Sequence, residues 1–247
     1  MANATRRVLT LILGSCLLCQ GAHGTEGAAP EITSAVLASD DVAYLTQLSL
    51  IRGHAKVGHE LFAEGEIQAA RSHGRHPRDE LYAPLVETFI ARGATDFAAQ
   101  LDGLRQAMEV ESSSENLAYR RLTAALGTAE QNLGSRPTDA AKVVQVIINL
   151  LREAAEEYGV AFVDGQLVNA HEYQDAYGFT QVALAWANRI NDGGDDRIRR
   201  VAERIANHID DLQVMWPTLM PPDRLERRAA QILGAAARVE IAALELP

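Results

Sequence analysis

Histidines gather in one short stretch of the chain. Four of the seven, His54, His59, His73 and His76, lie on the two sides of Gly65. Imidazole is the commonest protein metal ligand at neutral pH, and zinc, copper(II), nickel and iron all accept its nitrogen. If the chain folds back at Gly65 as a helical hairpin, imidazoles from both arms converge, so this spacing predicts a metal site.

The helical period limits which histidines can meet. In such a hairpin His59 faces residues 72–73 and His54 faces residues 76–77. Because His54 and His59 are five residues apart, they diverge by about 140° around their helix at about 100° per residue. The expected site therefore pairs His54 with His76, or His59 with His73. Neighbouring carboxylates complete the candidate ligands, which are His54, His59, His73, His76, Glu60 and Glu80.

The same histidines have a second explanation that involves no metal. Partly exposed histidines are common near helix ends, and a sequence alone does not reveal perturbed protonation. The two explanations remain open at this point.

No enzymatic motif is complete in this sequence. His59-Glu60 and His171-Glu172 both begin like the zinc-protease motif His-Glu-x-x-His, but the second histidine is missing from each. Asp175 stands at that position after His171 and is a possible substitute ligand. Phosphate-loop, dinucleotide and serine-hydrolase signatures are also missing, so we expect no enzyme.

The first 24 residues have the layout of a secretory signal. Arg6 and Arg7 precede an uncharged apolar stretch, residues 8–19, and small residues follow at 22–24. Cleavage after Gly24 would remove both cysteines and leave no disulfide or thiolate site. A lipoprotein signal ending at Cys16 is the alternative. The expected location is therefore periplasmic or secreted.

Charge and composition restrict the partners and the fold. The formal net charge of −10 argues against nucleic acid or an anionic membrane as a partner. Aromatic residues make up only 5% of the chain and alanine is abundant, which favours closely packed helices. No stretch after the signal is long and apolar enough for a transmembrane segment.

The periodicity predicts an all-α, multi-helix bundle of about eight or nine helices with short loops. After the signal at 1–24 we expect a flexible leader at 25–38, an N-terminal helical half at 39–134 and a C-terminal helical half at 138–247. Ser39 or Asp40 should cap a helix that runs to about Glu64, and Gly74 should interrupt the next one. Asp164-Gly165 should form the turn of a small hairpin.

Part of the second half resembles a known family. A helix ends near Tyr158, an Asp164-Gly165 turn follows, and Asn169 opens a helix with Glu172-Tyr173 in its first turn. Over residues 140–190 this arrangement resembles the extracytoplasmic helical domain attached to some bacterial high-affinity iron permeases, without the permease core. The resemblance implies a periplasmic role near iron uptake.

The same region supplies three further candidate ligands, His171, Glu172 and Tyr173. Packing of aromatic rings around the turn explains Tyr173 without a ligand role. The favourable charge at a helix N-terminus explains Glu172 equally well.

Two functional hypotheses follow from the sequence. The first is a periplasmic metal-binding accessory protein for uptake or handling of iron or another transition metal. Its cofactor would be iron, copper(II) or zinc, and its partner a membrane metal permease or another periplasmic protein. The alternative is a non-catalytic helical interaction scaffold without metal, which binds a partner near Trp186 or Trp216-Pro217.

Overall fold

The computed structural model describes residues 32–133, 139–191 and 195–247. The proposed signal with Cys16, and the proposed boundary between the two helical halves, lie outside these residues. The described part is all-α, as predicted, with ten α-helices: α1 Ser34–Ser39, α2 Asp41–Glu64, α3 Ile67–His76, α4 Leu85–Arg92, α5 Ala98–Glu109, α6 Glu115–Gln131, α7 Ala140–Ala161, α8 Ala170–Asn191, α9 Asp196–Asp210 and α10 Ala229–Ala243.

Three short elements accompany these helices. A π-helical turn, Pro77–Leu81, follows α3 directly, and a 3₁₀ turn, Asp211–Met215, follows α9. Strands β1 (Phe162–Val163) and β2 (Gln166–Leu167) form the expected hairpin between α7 and α8. Asp164 and Gly165 have φ values of 52° and 74°, as a tight hairpin turn requires.

Helix α1 corrects the predicted leader. Residues 34–38 were expected to be flexible, but the Thr33 hydroxyl caps a helix there by accepting from the Val36 N–H. Leu37 is fully buried in the core that Leu85 and Phe89 of α4 also enter. Burial of Leu37 offsets the entropy cost of ordering this segment, a tertiary contact that its local composition does not reveal.

Helices α2 and α3 form the predicted hairpin. Asp40 caps α2 by accepting from the N–H groups of Val42 and Ala43. Gly65 ends it in the left-handed conformation, with φ of 85°. The expectation that Gly74 interrupts the second arm is wrong, because α3 continues to His76. A Cβ at Gly74 would lie 2.8 Å from the Met108 sulfur of α5, so this glycine permits close packing.

The largest core surrounds α7 and α8 and also takes in α9 and α10. Trp186 and Trp216 lie in it with only 4% and 7% of their surface exposed. The Trp186 indole donates to the Ser49 hydroxyl, and that of Trp216 donates to the Tyr173 carbonyl. The idea that either tryptophan anchors a partner in a groove is therefore wrong, because both are buried.

The two helical halves meet in one unit, Ile32–Pro247, mainly where α2 packs on α7 and α8. Glu130 of α6 binds both Arg52 of α2 and Arg189 of α8, which joins the halves by an ion pair. Among the described residues, no helix is apolar over the length needed to cross a membrane.

Candidate metal centre

Three imidazoles and one carboxylate meet between α2, α3 and α8. His54 lies on α2, His73 on α3, and His171 and Asp175 on α8. One ligand atom from each side chain can be chosen so that all four lie within 4.8 Å of one another. The i, i+4 spacing of His171 and Asp175 puts both on one face of α8, and the hairpin brings the other two side chains to it.

Asp175 occupies the middle of this group. Its Oδ1 lies 2.6 Å from His54 Nδ1 and 3.1 Å from His73 Nδ1, and its Oδ2 lies 3.2 Å from His171 Nε2. The Asp175 side chain is 2% exposed. Among the described residues, these three imidazoles are its ion-pair partners, with no lysine or arginine among them.

Three of these atoms are close together but are not hydrogen bonded. His54 Nδ1, His73 Nδ1 and Asp175 Oδ1 are buried and have no hydrogen-bond partner in the described part of the chain. The ion-pair distances above and this lack of hydrogen bonds are compatible, because an ion pair is defined by distance alone whereas a hydrogen bond also requires a suitable geometry. Buried polar atoms without partners are costly, and a cation bound by all three would remove that cost.

Gln174 fixes the orientation of His73. The Gln174 Oε1 lies 2.9 Å from His73 Nε2 and is suited to accept its proton, which leaves the Nδ1 lone pair facing Asp175. The Gln174 amide in turn donates to the Leu219 carbonyl. A metal-binding histidine is usually held in this way through its second nitrogen.

The protonation of the group also suits a cation. Burial lowers the pKa of His171 to about 3, although Asp175 opposes this shift, so its imidazole is neutral at pH 7. Burial alone would raise the pKa of Asp175, but His54 and His73 more than offset it and hold that pKa below its usual range. Neutral imidazole and ionised carboxylate are the forms that bind metals.

His76 and Glu80 lie on the solvent side of the group. His76 Nδ1 lies 2.9 Å from His171 Nε2, and His76 Nε2 lies 2.6 Å from Glu80 Oε2. The His76 and His54 rings are stacked with centroids 5.0 Å apart, so the predicted pairing of these two histidines is present.

Two carboxyl groups of α7 interact electrostatically with the centre and bind their protons more tightly than an exposed carboxyl group does. Burial, followed by contact with Glu172 and the charges of Asp175 and Glu153, together raise the pKa of Glu157 to about 9. Burial likewise raises the pKa of Glu153, which the charge of His54 opposes. Glu157 is therefore neutral at pH 7, and a cation bound nearby would favour its ionised form.

His59 and Glu60 lie outside the group, so the pairing of His59 with His73 is corrected. His59 Nδ1 lies 3.0 Å from both oxygens of Glu115, and its ring stacks on Tyr119 at 4.1 Å. Glu60 pairs with Lys56 on the same helix. The reason is the helical period, because the side of α2 that carries His54 faces α8 while His59 points towards α6.

Two of the further candidates have other contacts. Glu172 accepts from the Asn169 amide at the start of α8, as expected for an acidic residue in a first turn. Tyr173 is buried, and its hydroxyl donates to the Thr218 carbonyl at 2.7 Å. Of these three residues, His171 is therefore the one that belongs to the candidate metal centre with His54, His73 and Asp175.

Asp175 is the residue that sequence reasoning left out of the ligand set. The signal for it was present, since Asp175 follows His171 by four residues in place of the second histidine of a zinc motif. What the sequence did not reveal was that α8 lies across the hairpin, so that this carboxylate meets His54 and His73.

Imidazole nitrogens with a carboxylate oxygen form a typical set for zinc, copper(II) or iron(II). Iron(II) sites that combine histidine with one carboxylate are well established among proteins. The centre can therefore hold a transition-metal ion.

Part of this chain is similar to a known protein family. Residues 134–243 match the model of the iron permease-associated 4-helix bundle domain. The resemblance seen over 140–190 is therefore confirmed and extends almost to the end of the chain. No match to the chain was found among curated proteins or among solved structures.

Proposed function

We propose that the chain is a metal-binding accessory protein of transition-metal uptake, because residues 134–243 match the model of the iron permease-associated 4-helix bundle domain. Its ligands are His54, His73, His171 and Asp175. In this role it binds and delivers a cation and catalyses no reaction.

One observation carries the proposal. Two imidazole nitrogens approach a single buried carboxylate oxygen, Asp175 Oδ1, without hydrogen bonding to it. A purely structural cluster would be expected to satisfy these atoms by hydrogen bonds. A cation accepts all three lone pairs at once.

The family favours iron, while the ligand chemistry also suits zinc and copper(II). Iron is therefore the first metal to test, as iron(II), with the other two as competitors. A membrane metal permease is the proposed partner, since the matched family is associated with iron permeases.

We further propose that the protein works in the periplasm or outside the cell. The signal layout of residues 1–24 motivates this location. Cell fractionation with N-terminal sequencing of the recovered protein tests it. A chain beginning at Thr25 is expected, whereas a lipid-modified Cys16 would favour the lipoprotein alternative.

The metal site is tested by thermal melts of the full chain with iron(II), zinc(II) and copper(II), each compared with a melt in chelator. A cation bound only by the folded state at about 100 times its Kd adds about 2.7 kcal/mol of stability. Asp175→Asn and His73→Ala should abolish the shift, whereas His59→Ala on the same hairpin should retain it.

Two results would reject this proposal. Equal shifts in Asp175→Asn and the unmodified chain would place the metal elsewhere. If none of the three metals shifts the melt of the unmodified chain, the metal-free interaction scaffold becomes the better explanation.

A further inference from the structure

The side chains of the centre become steadily more accessible towards one side. The exposed fraction of the side chain rises in the order His73 0%, Asp175 2%, His54 5%, His171 17%, His76 21% and Glu80 45%. A cation that reaches the buried ligands from solvent must pass other groups first. This order identifies His76 and Glu80 as the groups it meets.

His76 contacts both the buried candidate ligands and the exposed Glu80. Its Nδ1 lies 2.9 Å from His171 Nε2, on the side of the buried ligands, while its Nε2 lies 2.6 Å from the exposed Glu80 Oε2. Either nitrogen of a neutral imidazole can bind a metal, depending on which one carries the proton. One ring therefore offers a ligand position towards solvent and another towards the centre.

The π-helical turn arranges the charges at this opening. The turn starts directly after His76, and its acidic residues are Asp79 and Glu80, of which Glu80 pairs with His76. Its basic residue, Arg78, is directed elsewhere, with the guanidinium 4.3 Å from the centre of the Tyr82 ring and 3.7 Å from Asp102. π-helical turns occur frequently at functional sites. This turn therefore presents the Glu80 carboxylate at the opening, while the positive charge of Arg78 points away from it.

We propose that Glu80 and His76 form the path by which the cation exchanges with solvent, which rests on the proposed function. Glu80 captures a hydrated cation and releases part of its water. His76 then replaces Glu80 as a ligand, and the buried ligands replace His76. Each step exchanges one ligand bond for another, without oxidation or reduction, and release follows the reverse order.

Cobalt(II) is a suitable probe because its visible absorption changes on coordination. Stopped-flow mixing of the full chain with cobalt(II) gives the association rate constant, and mixing the complex with excess EDTA gives the dissociation rate constant. The variants are His76→Ala and Glu80→Gln. The matched controls are His59→Ala on the same hairpin and Glu87→Gln on α4.

For His76→Ala we expect both rate constants to fall by roughly tenfold and Kd to change by less than about threefold, because a transient ligand lowers the barrier in both directions. For Glu80→Gln we expect both to fall by about threefold, since an exposed carboxylate steers cations less strongly. Both controls should behave like the unmodified chain.

The outcomes separate this inference from the proposed function. If His76→Ala only accelerates dissociation, His76 is a permanent ligand, and if it accelerates both directions, His76 is a lid. Either result, or unchanged kinetics, overturns the exchange path while leaving the site intact. Failure of the unmodified chain to bind cobalt(II) would instead reject the metal site. If His76→Ala melts early without metal, His76→Gln provides the same comparison.

Discussion

Gly178 lies directly against the backbone of Gly53 where α8 crosses α2. A Cβ at Gly178 would lie 2.7 Å from the Gly53 carbonyl oxygen and 2.7 Å from a Val57 methyl group. His54 follows Gly53 directly, and Asp175 lies one helical turn before Gly178. The close crossing therefore brings an imidazole of one helix to the carboxylate of the other.

Gly178→Ala should force the two helices apart. We expect it to lower the free energy of unfolding by about 1–3 kcal/mol through overpacking, and to weaken metal binding because His54 and Asp175 separate. Denaturant unfolding and a metal titration measure the two effects. Gly127→Ala is the control, since nothing lies within 4 Å of a Cβ there, and it should stabilise α6 by about 0.5–1 kcal/mol. Equal effects at both positions would contradict the role of the crossing.

Gln174→Leu should weaken metal binding without removing a ligand. Loss of the acceptor at His73 Nε2 frees that ring to rotate or change tautomer, and such changes cost roughly 10–100-fold in metal affinity. Isothermal titration with iron(II) or zinc(II) measures the loss. Gln181 lies on the same helix as Gln174 and donates to Gln213. Gln181→Leu therefore removes a comparable hydrogen bond and should leave the metal affinity unchanged. Identical affinity in both variants would show that Gln174 does not orient the ligand.

Glu157 should make the metal-free protein less stable as the pH rises. Its pKa in the folded state is about 9 against an ordinary value of 4.5, so folding favours the protonated form. This contribution is complete below about pH 4.5 and is lost as the pH rises towards 9. Glu157→Gln should flatten the fall by at least about 1.4 kcal/mol, which corresponds to one pKa unit.

Urea unfolding in chelator at several pH values measures this effect. Glu156→Gln, an exposed neighbour on α7, is the matched control and should keep the pH dependence of the unmodified chain. If Glu157→Gln follows the same pH profile as that control, the protonated carboxyl is not the source.

Glu130 should contribute far more stability than an exposed ion pair. Its side chain is 7% exposed and binds Arg52, which is 12% exposed, so Glu130→Gln leaves a largely buried guanidinium without its charge partner. We expect a loss of about 2–4 kcal/mol. Glu240→Gln breaks a pair with Arg152 whose side chains are 44% and 55% exposed, and should cost less than about 1 kcal/mol. Chemical denaturation of both variants provides the comparison, and similar losses would contradict the argument.

Features with local signals were predictable from the sequence. The Asp40 cap and the left-handed Gly65 determine where the hairpin begins to turn, and the helical period separated His54 from His59. The pairing of His54 with His76 was one of the two alternatives that these rules left open. The sequence did not predict the helix over residues 34–38 or the continuation of α3 through Gly74. Each of these features depends on packing against a residue that is distant in sequence.

The candidate metal centre was predictable only in part, because it also depends on contacts between residues that are distant in sequence. His171 lies 95 residues beyond His76, and Gln174 lies 101 residues beyond His73. Hydrophobic periodicity shows which face of α8 is buried but not which helix covers it. The close approach of Gly53 and Gly178 determines that arrangement, and two glycines within helices do not identify each other as partners.

The candidate ligands come from both sides of the boundary of the matched segment. His54 and His73 precede the segment 134–243, whereas His171 and Asp175 lie within it. Neither part alone holds all four candidate ligands. In the proposed role, cation binding and the packing of the first hairpin on α8 are therefore thermodynamically linked, so that release of the ion would weaken this packing.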